Sequence, residues 1–466
     1  MIEPRTLRKT LPKDVRTLCR TLRDKGYRAW VVGGCVRDTL LDDLAGSDSV
    51  GARNDWDLAT DARPEQVQAL FRRVIPTGVE HGTVTVMMGT MGYEVTTLRA
   101  EAGYADGRRP DTVNFVDDIV ADLARRDFTI NAIAYDPELD ELLDPFDGIS
   151  DLKGRCLRAV GVASERFTED GLRVLRAARF VATLDVELEP ATAAAIQPSL
   201  ASYRKVSAER IRDEWMKAMK ARVPSRAFCT MLEHGLLEIT APELIESVGC
   251  EQNRYHAYDV WGHAMACLDA SCESPQLRIA ALLHDVGKPR SREKHEVTGE
   301  YTFYNHESIG AKMAEPILRR LKFSNDDRQR IVSLVRHHLL CYDETWSDAA
   351  VRRWLRRVSP ELAEDLYLLG TADALGKGLD ATSSLDKIVA LKAHVRRVVE
   401  AGAALSVRDL AISGTDLMSE LGLRPGPILG TILRTLLDEV TEEPAHNQRE
   451  HLLKRAVELA DAAPDP

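Results

Sequence analysis

Two aspartates one residue apart, Asp55 and Asp57 in DWDLAT, form the pair whose spacing points most directly to chemistry. Side chains two apart on a strand project the same way, so the two carboxylates can converge. Convergent carboxylates suit Mg²⁺, which takes one or two of them and completes its shell with phosphates and water. Upstream, Gly33 and Gly34 end the run WVV and precede CVRDTLLDDL. A Gly-Gly turn ahead of a helix aims backbone N–H groups at an anion, and Arg37, one turn on, can reach a triphosphate. Phosphoryl transfer needs such parts together: metal carboxylates, an anion cradle and a guanidinium against developing charge. Glu94, in YEVTTLR, offers a third carboxylate from a neighbouring strand, as a metal partner or as the base for a hydroxyl proton. It reads equally well as a strand-edge glutamate in water.

Two other groups carry chemistry. TEDGLRVLRAARF predicts one helix with Thr168 as N-cap and its acids in the first turn. Glu169 and Arg173 are four apart and Asp170 and Arg173 three apart, so they share a face. The pattern is a helix salt bridge, or a base reader. A carboxylate accepts from the amino group of cytosine or adenine, and a guanidinium donates to cytosine N3 and O2 or to adenine N1. Further on come His263, His284 with Asp285, His306, His337 with His338, and Asp373. Neutral imidazoles beside carboxylates suit a transition metal, and an adjacent His-Asp can serve one ion or bridge two. Lys288 either holds a phosphate there or is simply exposed.

The elements that must position these residues follow from periodicity. LPKDVRTLCRTLRDKG predicts a helix ending at Gly26, and YRAWVVGG a strand entering a tight turn, with CVRDTLLDDL helical after it. GTVTVMMG and YEVTTLR predict two strands joined by a turn at TMG, and EAGYADGRRPDTVNF a long polar loop. From about residue 155 strand signals fade into helical patterns, with a break at GLRPGPILG (422–430). The class is α+β: a mixed α/β head over 1–154, a helical neck over 155–250, a histidine-bearing helical region over 251–380 and a helical tail over 381–466. At 466 residues, 44 % hydrophobic and 29 % charged, the composition is that of a globular protein. No run approaches the ~20 apolar residues of a membrane span. The eight cysteines form no CxxC pair, the N-terminal residues carry no secretory pattern, and the expectation is a cytoplasmic enzyme. The formal charge of −11 argues weakly against nucleic acid, but local balance decides more. RKVSAERIRDEWMKAMKAR, Arg204 to Arg222, is a basic helix in an acidic chain.

The segments GGCVRD, DWDLAT, PTGVEHGTVTV, YEVTTLR, DGRRPDTVNF, RRDFTINAIAYD, LLDPFDGISDLKG and TEDGLRVLRAARF occur in one order over residues 31–180. In that order they resemble the class II tRNA nucleotidyltransferase and bacterial poly(A) polymerase family. The resemblance implies a polymerase-β-like nucleotidyltransferase head with Mg²⁺ at Asp55 and Asp57, and nucleotide binding at Gly33, Gly34 and Arg37. It places ribose recognition at Arg125, Arg126 and Asp127, and a protein template for the base at Glu169, Asp170 and Arg173. It implies a tRNA 3′ end, CTP and ATP as partners. PTGVEHGTVTV resembles the tRNA enzymes, and the loop before TVNF resembles the one needed for the final A, so CCA addition is expected, with A-adding or CC-adding members of the family as alternatives. The order H…HD…H…H…D in the helical region resembles the HD phosphohydrolase superfamily. That implies a metal-dependent phosphoesterase, with His263, His284, Asp285, His306, His337, His338 and Asp373 as candidate ligands. A hydrolase whose head merely binds nucleotide is the other class of reading.

Overall fold

The computed structural model describes residues 5–46, 56–102 and 112–462. Asp55, most of the polar loop before TVNF and the interval after Gly46 lie outside the described residues. The chain forms two compact units, residues 1–240 and 241–466, so the head and residues 155–240 of the expected neck belong to one unit, and 241–250 to the other.

The first unit is built on a seven-stranded sheet. Its strands are β1 (Ala29–Val32), β2 (Asp57–Thr60), β3 (Val74–Gly78), β4 (Thr83–Met88), β5 (Met91–Thr97), β8 (Ala134–Asp136) and β9 (Glu141–Leu143), in the spatial order β3-β4-β5-β2-β1-β8-β9. β6 (Arg99–Ala102) and β7 (Thr112–Phe115) pair as a separate ribbon on either side of the polar loop. The predicted hairpin is β4–β5, joined at Gly89, whose φ of +62° glycine adopts without strain. β1 is buried along its whole length. Trp30 and Val32 pack with Leu98, Ile119, Leu123 and Ala134 in the core behind it. β1 runs antiparallel to β2, pairing Val32 with Asp57. That register sets the Gly33–Gly34 turn beside the second aspartate of DWD.

One predicted helix is two. TEDGLRVLRAARF splits into Ala163–Glu169 and Leu172–Thr183. Thr168 is no N-cap; it sits in the last turn of the first helix and donates to the Ser164 carbonyl at 2.7 Å. The cause is long-range. The backbone at Ser202 and Tyr203 presses on Gly171 so closely that a Cβ there would lie 2.3 Å from the Ser202 carbonyl oxygen. Asp170, extended between the helices, accepts from the Leu172 N–H at 3.0 Å and begins the second one.

The second unit is helical, with Val260–Ala270, Pro275–Leu283, His306–Arg320, Asn325–His337 and Pro360–Gly376 around one core. It also holds a short antiparallel ribbon, Arg292–Lys294 with Tyr301–Phe303, which periodicity did not reveal. Helices Gly414–Leu421, Pro427–Glu442 and Arg449–Asp461 pack around Leu417, Leu436 and Leu452. The Gly/Pro break is their first turn: Gly422 ends one helix at φ +66° and Pro427 opens the next.

Candidate active site and metal centre

Gly33 caps the helix Gly34–Leu44 with φ +84°. A Cβ there would meet Asp57 Oδ2 and Arg126 Nη1, each at 3.3 Å, so glycine serves both the turn and the approach of these two groups. Arg37 is buried and donates to Asn131 Oδ1 at 2.6 Å. Asn131 Nδ2 donates to Asp127 Oδ1 at 2.9 Å, and Arg176 Nε donates to Asp127 Oδ2 at 2.8 Å. This network ties the Gly-Gly helix, the RRD segment and the helix Leu172–Thr183 together. Burial opposes ionisation of Asp127, but the Arg176 guanidinium and the Asn131 amide hold its carboxyl well below the usual range. It is an acceptor at neutral pH.

Behind these residues Glu214, 2 % exposed, pairs with Arg179 at 2.5 Å and Lys217 at 2.9 Å. The guanidinium of Arg179 lies 3.8 Å from the centre of the Phe180 ring, with Arg37 at 5.1 Å and Arg176 at 5.4 Å from the same ring.

These side chains line one cavity of about 560 Å³. It contains Gly33, Gly34, Arg37, Asp57, Arg125, Arg126, Asp127, Asp170 and Arg173, all singled out from sequence, together with Asn131, Leu172, Arg176, Arg179, Phe180, Arg210 and Lys217. Eight cations face three carboxylates there, in a chain of net charge −11. The excess suits a polyphosphate, and it shows why whole-chain charge misled. Arg176 and Arg179 were legible as an R-x-x-R-x-x-R stripe beginning at Arg173, a spacing of one face per turn.

Asp170 and Arg173 do not bond each other's side chains. Arg210 donates to both Asp170 oxygens, at 3.1 and 2.7 Å. Arg173 donates to Glu169 at 2.8 Å and to the carbonyls of Arg166 and Arg125 at 3.0 and 2.8 Å. Both groups face the cavity already oriented. Glu169 sits behind Arg173 and does not line the cavity. Glu94 is exposed on β5 and also lies outside the lining. The Leu58–Val95 pairing, continued by one residue, sets it opposite Asp57.

In the second unit four imidazoles converge. His263 Nδ1 donates to the Gly376 carbonyl (3.1 Å), His284 to Ala281 (2.8 Å), His306 to Phe303 (2.6 Å) and His338 to Val335 (2.8 Å). A carbonyl only accepts, so each Nδ1 carries a hydrogen and each Nε2 is aimed inward. The Nε2 atoms of His263 and His284 lie 3.2 Å apart, and those of His306 and His338 3.3 Å apart. Asp285 stands between the pairs, with Oδ2 3.3 and 3.1 Å from the first and Oδ1 3.3 and 3.6 Å from the second. Asp373 Oδ1 closes on His263 at 3.1 Å. Inward-facing Nε2 atoms around buried carboxylates form a donor set that fits one or two metal ions. Burial resists protonation of His263 but Asp285 and Asp373 override it, pushing it up to about 12, while burial pushes His338 down to about 3.

His337 is the correction here. It is half-buried, burial and the nearby charges of Arg357 and Arg336 disfavour its protonation, and only His338 joins the cluster. Lys288 is neither exposed nor open: its ammonium meets Asp285 at 2.6 Å and Gln252 at 2.6 Å. Gly287 admits the neighbouring helix, since a Cβ there would lie 2.3 Å from the His306 carbonyl oxygen. Cys267 and His256 escaped the sequence reading. Cys267 falls one turn after His263 and groups with it. His256 packs its ring on His263.

Comparison with known proteins gives the chain's family. Residues 29–158 match the poly A polymerase head domain family, and residues 302–456 match tRNA nucleotidyltransferase domain 2. Residues 185–247 match a family described as a probable RNA- and SrmB-binding site of polymerase A. The CCA-adding enzyme of Limosilactobacillus fermentum is 32 % identical over 97 % of this chain and 99 % of its own length. That of Lactobacillus delbrueckii subsp. bulgaricus is 35 % identical over 92 % of this chain and 93 % of its own. The crystal structure of the Bacillus stearothermophilus CCA-adding enzyme in complex with CTP superposes with a TM-score of 0.71 at 27 % identity, covering 99 % of this chain and 98 % of that one. With relatives of that identity along nearly its whole length, this chain belongs to the CCA-adding enzyme family of tRNA nucleotidyltransferases.

Proposed function

We propose that the chain adds C and A to the 3′ end of tRNA from CTP and ATP, without a nucleic-acid template and with release of pyrophosphate, in the cytoplasm. The observation that carries the reading is the single cavity holding the Gly-Gly turn, Asp57 and the Asp170–Arg173 pair among eight cations. No helix among the described residues is long and apolar enough to cross a membrane. The N–H groups at Gly33 and Gly34 and the Arg37 guanidinium bind the triphosphate. Arg125 and Arg126 flank it, and Asp127 accepts from the ribose hydroxyls, favouring ribonucleotides. Arg173 and Asp170, backed by Glu169, donate to and accept from the Watson–Crick edge of C or A, and leave U and G with unpaired groups. Asp55 and Asp57 would hold divalent ions of the Mg²⁺ class, which would supply charge neutralisation on the phosphates. The terminal RNA hydroxyl bonds to the α-phosphorus as the bond to the pyrophosphate oxygen breaks. Glu94, on the strand beside Asp57, takes the hydroxyl proton.

The test uses three transcripts of one tRNA, ending at the discriminator base, after C and after CC, with CTP and ATP supplied separately and together. Completion of all three is the expected result. Extension of only the CC-ending transcript, by one A, identifies an A-adding enzyme, and addition that stops at CC identifies a CC-adding one. No extension of any transcript overturns the reading.

A second activity is supported by the convergent Nε2 atoms: a metal-dependent phosphohydrolase in the second unit. His263, His284, Asp285 and Asp373 would hold one ion, and Asp285, His306 and His338 another; such ions supply Lewis acidity to a phosphate ester. A transition metal is the class that imidazole nitrogen prefers.

A further inference from the structure

Two cavities open on the histidine cluster. One, of about 330 Å³, is walled by residues 301–304 with His256 and Lys288. The other, of about 440 Å³, lies against the helices Pro360–Gly376 and Thr382–Glu400 and the segment 338–343. Each is large enough for a nucleotide-sized group. Both are lined by His338, Leu339, Asp373 and Lys377. Asp373 belongs to one group of ion ligands and His338 to the other, so each cavity reaches both groups. The walls differ in chemistry. In the smaller cavity Arg292 already covers Tyr301, 3.6 Å from its ring centre, and Phe303 faces the Lys288 ammonium at 5.6 Å. Tyr304, 69 % exposed, offers its ring to a base. In the larger cavity Ser384, Lys387, Ile388 and Leu391 recur at helical spacing, so one helix face supplies a hydroxyl, an ammonium and an apolar floor. Tyr342 forms a fixed wall there: its hydroxyl bonds His394 Nδ1 at 3.1 Å, and His394 Nε2 donates to Asp348 Oδ1 at 2.8 Å. Asp343, the other acid of that lining besides Asp373, is engaged in its own turn, with Oδ1 accepting from Thr345 N–H at 3.0 Å and Oγ1 at 2.6 Å.

A phosphate monoester occupies one side of such a cluster, whereas a strand that continues past the phosphate needs both. We propose that the second unit cleaves an internal phosphodiester of a single-stranded oligonucleotide. The scissile phosphate lies at the histidine cluster, the nucleoside on one side stacks on Tyr304, and the next phosphate on the other side meets Lys387 and Ser384. Lys377, in both linings, meets the strand where it passes from one cavity to the other. The proposal rests on reading the cluster as a phosphohydrolase centre. Hydrolysis forms a bond from a water oxygen to phosphorus and breaks the P–O bond to one ribose. The departing ribose oxygen takes up the proton that the water gives up, and no oxidation state changes.

The test uses the full-length chain loaded with Mn²⁺ and three esters: the triadenylate ApApA, adenosine 3′-monophosphate and bis(p-nitrophenyl) phosphate. The kcat/KM for ApApA is expected to exceed that for the monophosphate by more than about tenfold, because groups remote from the scissile bond add binding. Lys387→Met is expected to raise the KM for ApApA by more than about fivefold, with Lys387→Arg restoring it. A second readout needs no turnover. Cys341 lines the larger cavity with an exposed thiol, and Cys272 is exposed outside both linings. A phosphorothioate-linked triadenylate, which hydrolyses slowly, is expected to slow alkylation of Cys341 by iodoacetamide and to leave Cys272 unaffected, as adenosine monophosphate leaves both. Lys387 and Cys341 both lie in the second unit, so binding of the oligonucleotide within residues 1–240 mimics neither result. Equal rates on ApApA and the monophosphate, or no protection of Cys341, overturns the two-sided site and leaves the phosphohydrolase standing. Protection of Cys341 without cleavage of any ester overturns the hydrolase and retains the oligonucleotide cleft. Neither protection nor cleavage overturns both.

Discussion

Asp170 illustrates how a single carboxylate is kept ready for a base. Its two oxygens are held by Arg210 at 3.1 and 2.7 Å, so it remains oriented and hydrogen-bonded while it faces the cavity. Binding a nucleobase exchanges part of that pairing for the amino group of C or A, at little reorganisation. Asp170→Asn keeps the size but adds donors, so the site no longer penalises carbonyl-bearing edges. A misread bidentate pair costs roughly 1–3 kcal/mol, so discrimination of CTP and ATP against UTP and GTP is expected to fall by roughly 10- to 100-fold. Single-nucleotide incorporation with each of the four triphosphates measures it; unchanged selectivity would remove Asp170 from base reading.

At the scale of elements, the break between Ala163–Glu169 and Leu172–Thr183 matters more than either helix. A continuous helix would carry Asp170 round the same cylinder as Arg173, three positions on. The break instead leaves Asp170 extended, beside Arg210 of the helix Ala208–Ala218. Gly171→Ala therefore pushes a methyl into the Ser202 carbonyl, where backbone cannot give way as a side chain would. Overpacking of this kind costs typically about 1–3 kcal/mol. Chemical denaturation is expected to record that loss, and extension assays a larger loss of nucleotide addition than the stability change explains. If addition survives intact, the helix break does not position the base reader.

For the whole molecule, two kinds of chemistry occupy two compact units. Hard carboxylates among guanidinium groups lie in residues 1–240, and imidazoles with carboxylates lie in residues 241–466. Each site draws its residues from its own unit. Asp57→Ala is expected to abolish nucleotide addition and spare hydrolysis of a generic phosphodiester such as bis(p-nitrophenyl) phosphate. His284→Ala is expected to do the reverse. Parallel loss of both activities in either variant would contradict independent sites.

The sequence by itself determined what is local: residue types, their order, and faces shared by positions two or four apart. Those sufficed to single out Asp57 and the Gly33–Gly34 turn, the β4–β5 hairpin and His284-Asp285, while the β1–β2 register brought the first two together. Tertiary structure alone decided what depends on contacts between distant segments. It selected His338 over His337, because neighbouring helix positions differ by about 100° and packing fixes which one faces inward. It broke the helix at Gly171, because Ser202 arrives from elsewhere in the chain. It concentrated eight cations in one cavity of an acidic protein, and it set Cys267 among the histidines. Periodicity records the face a residue presents; only the folded chain supplies what that face meets.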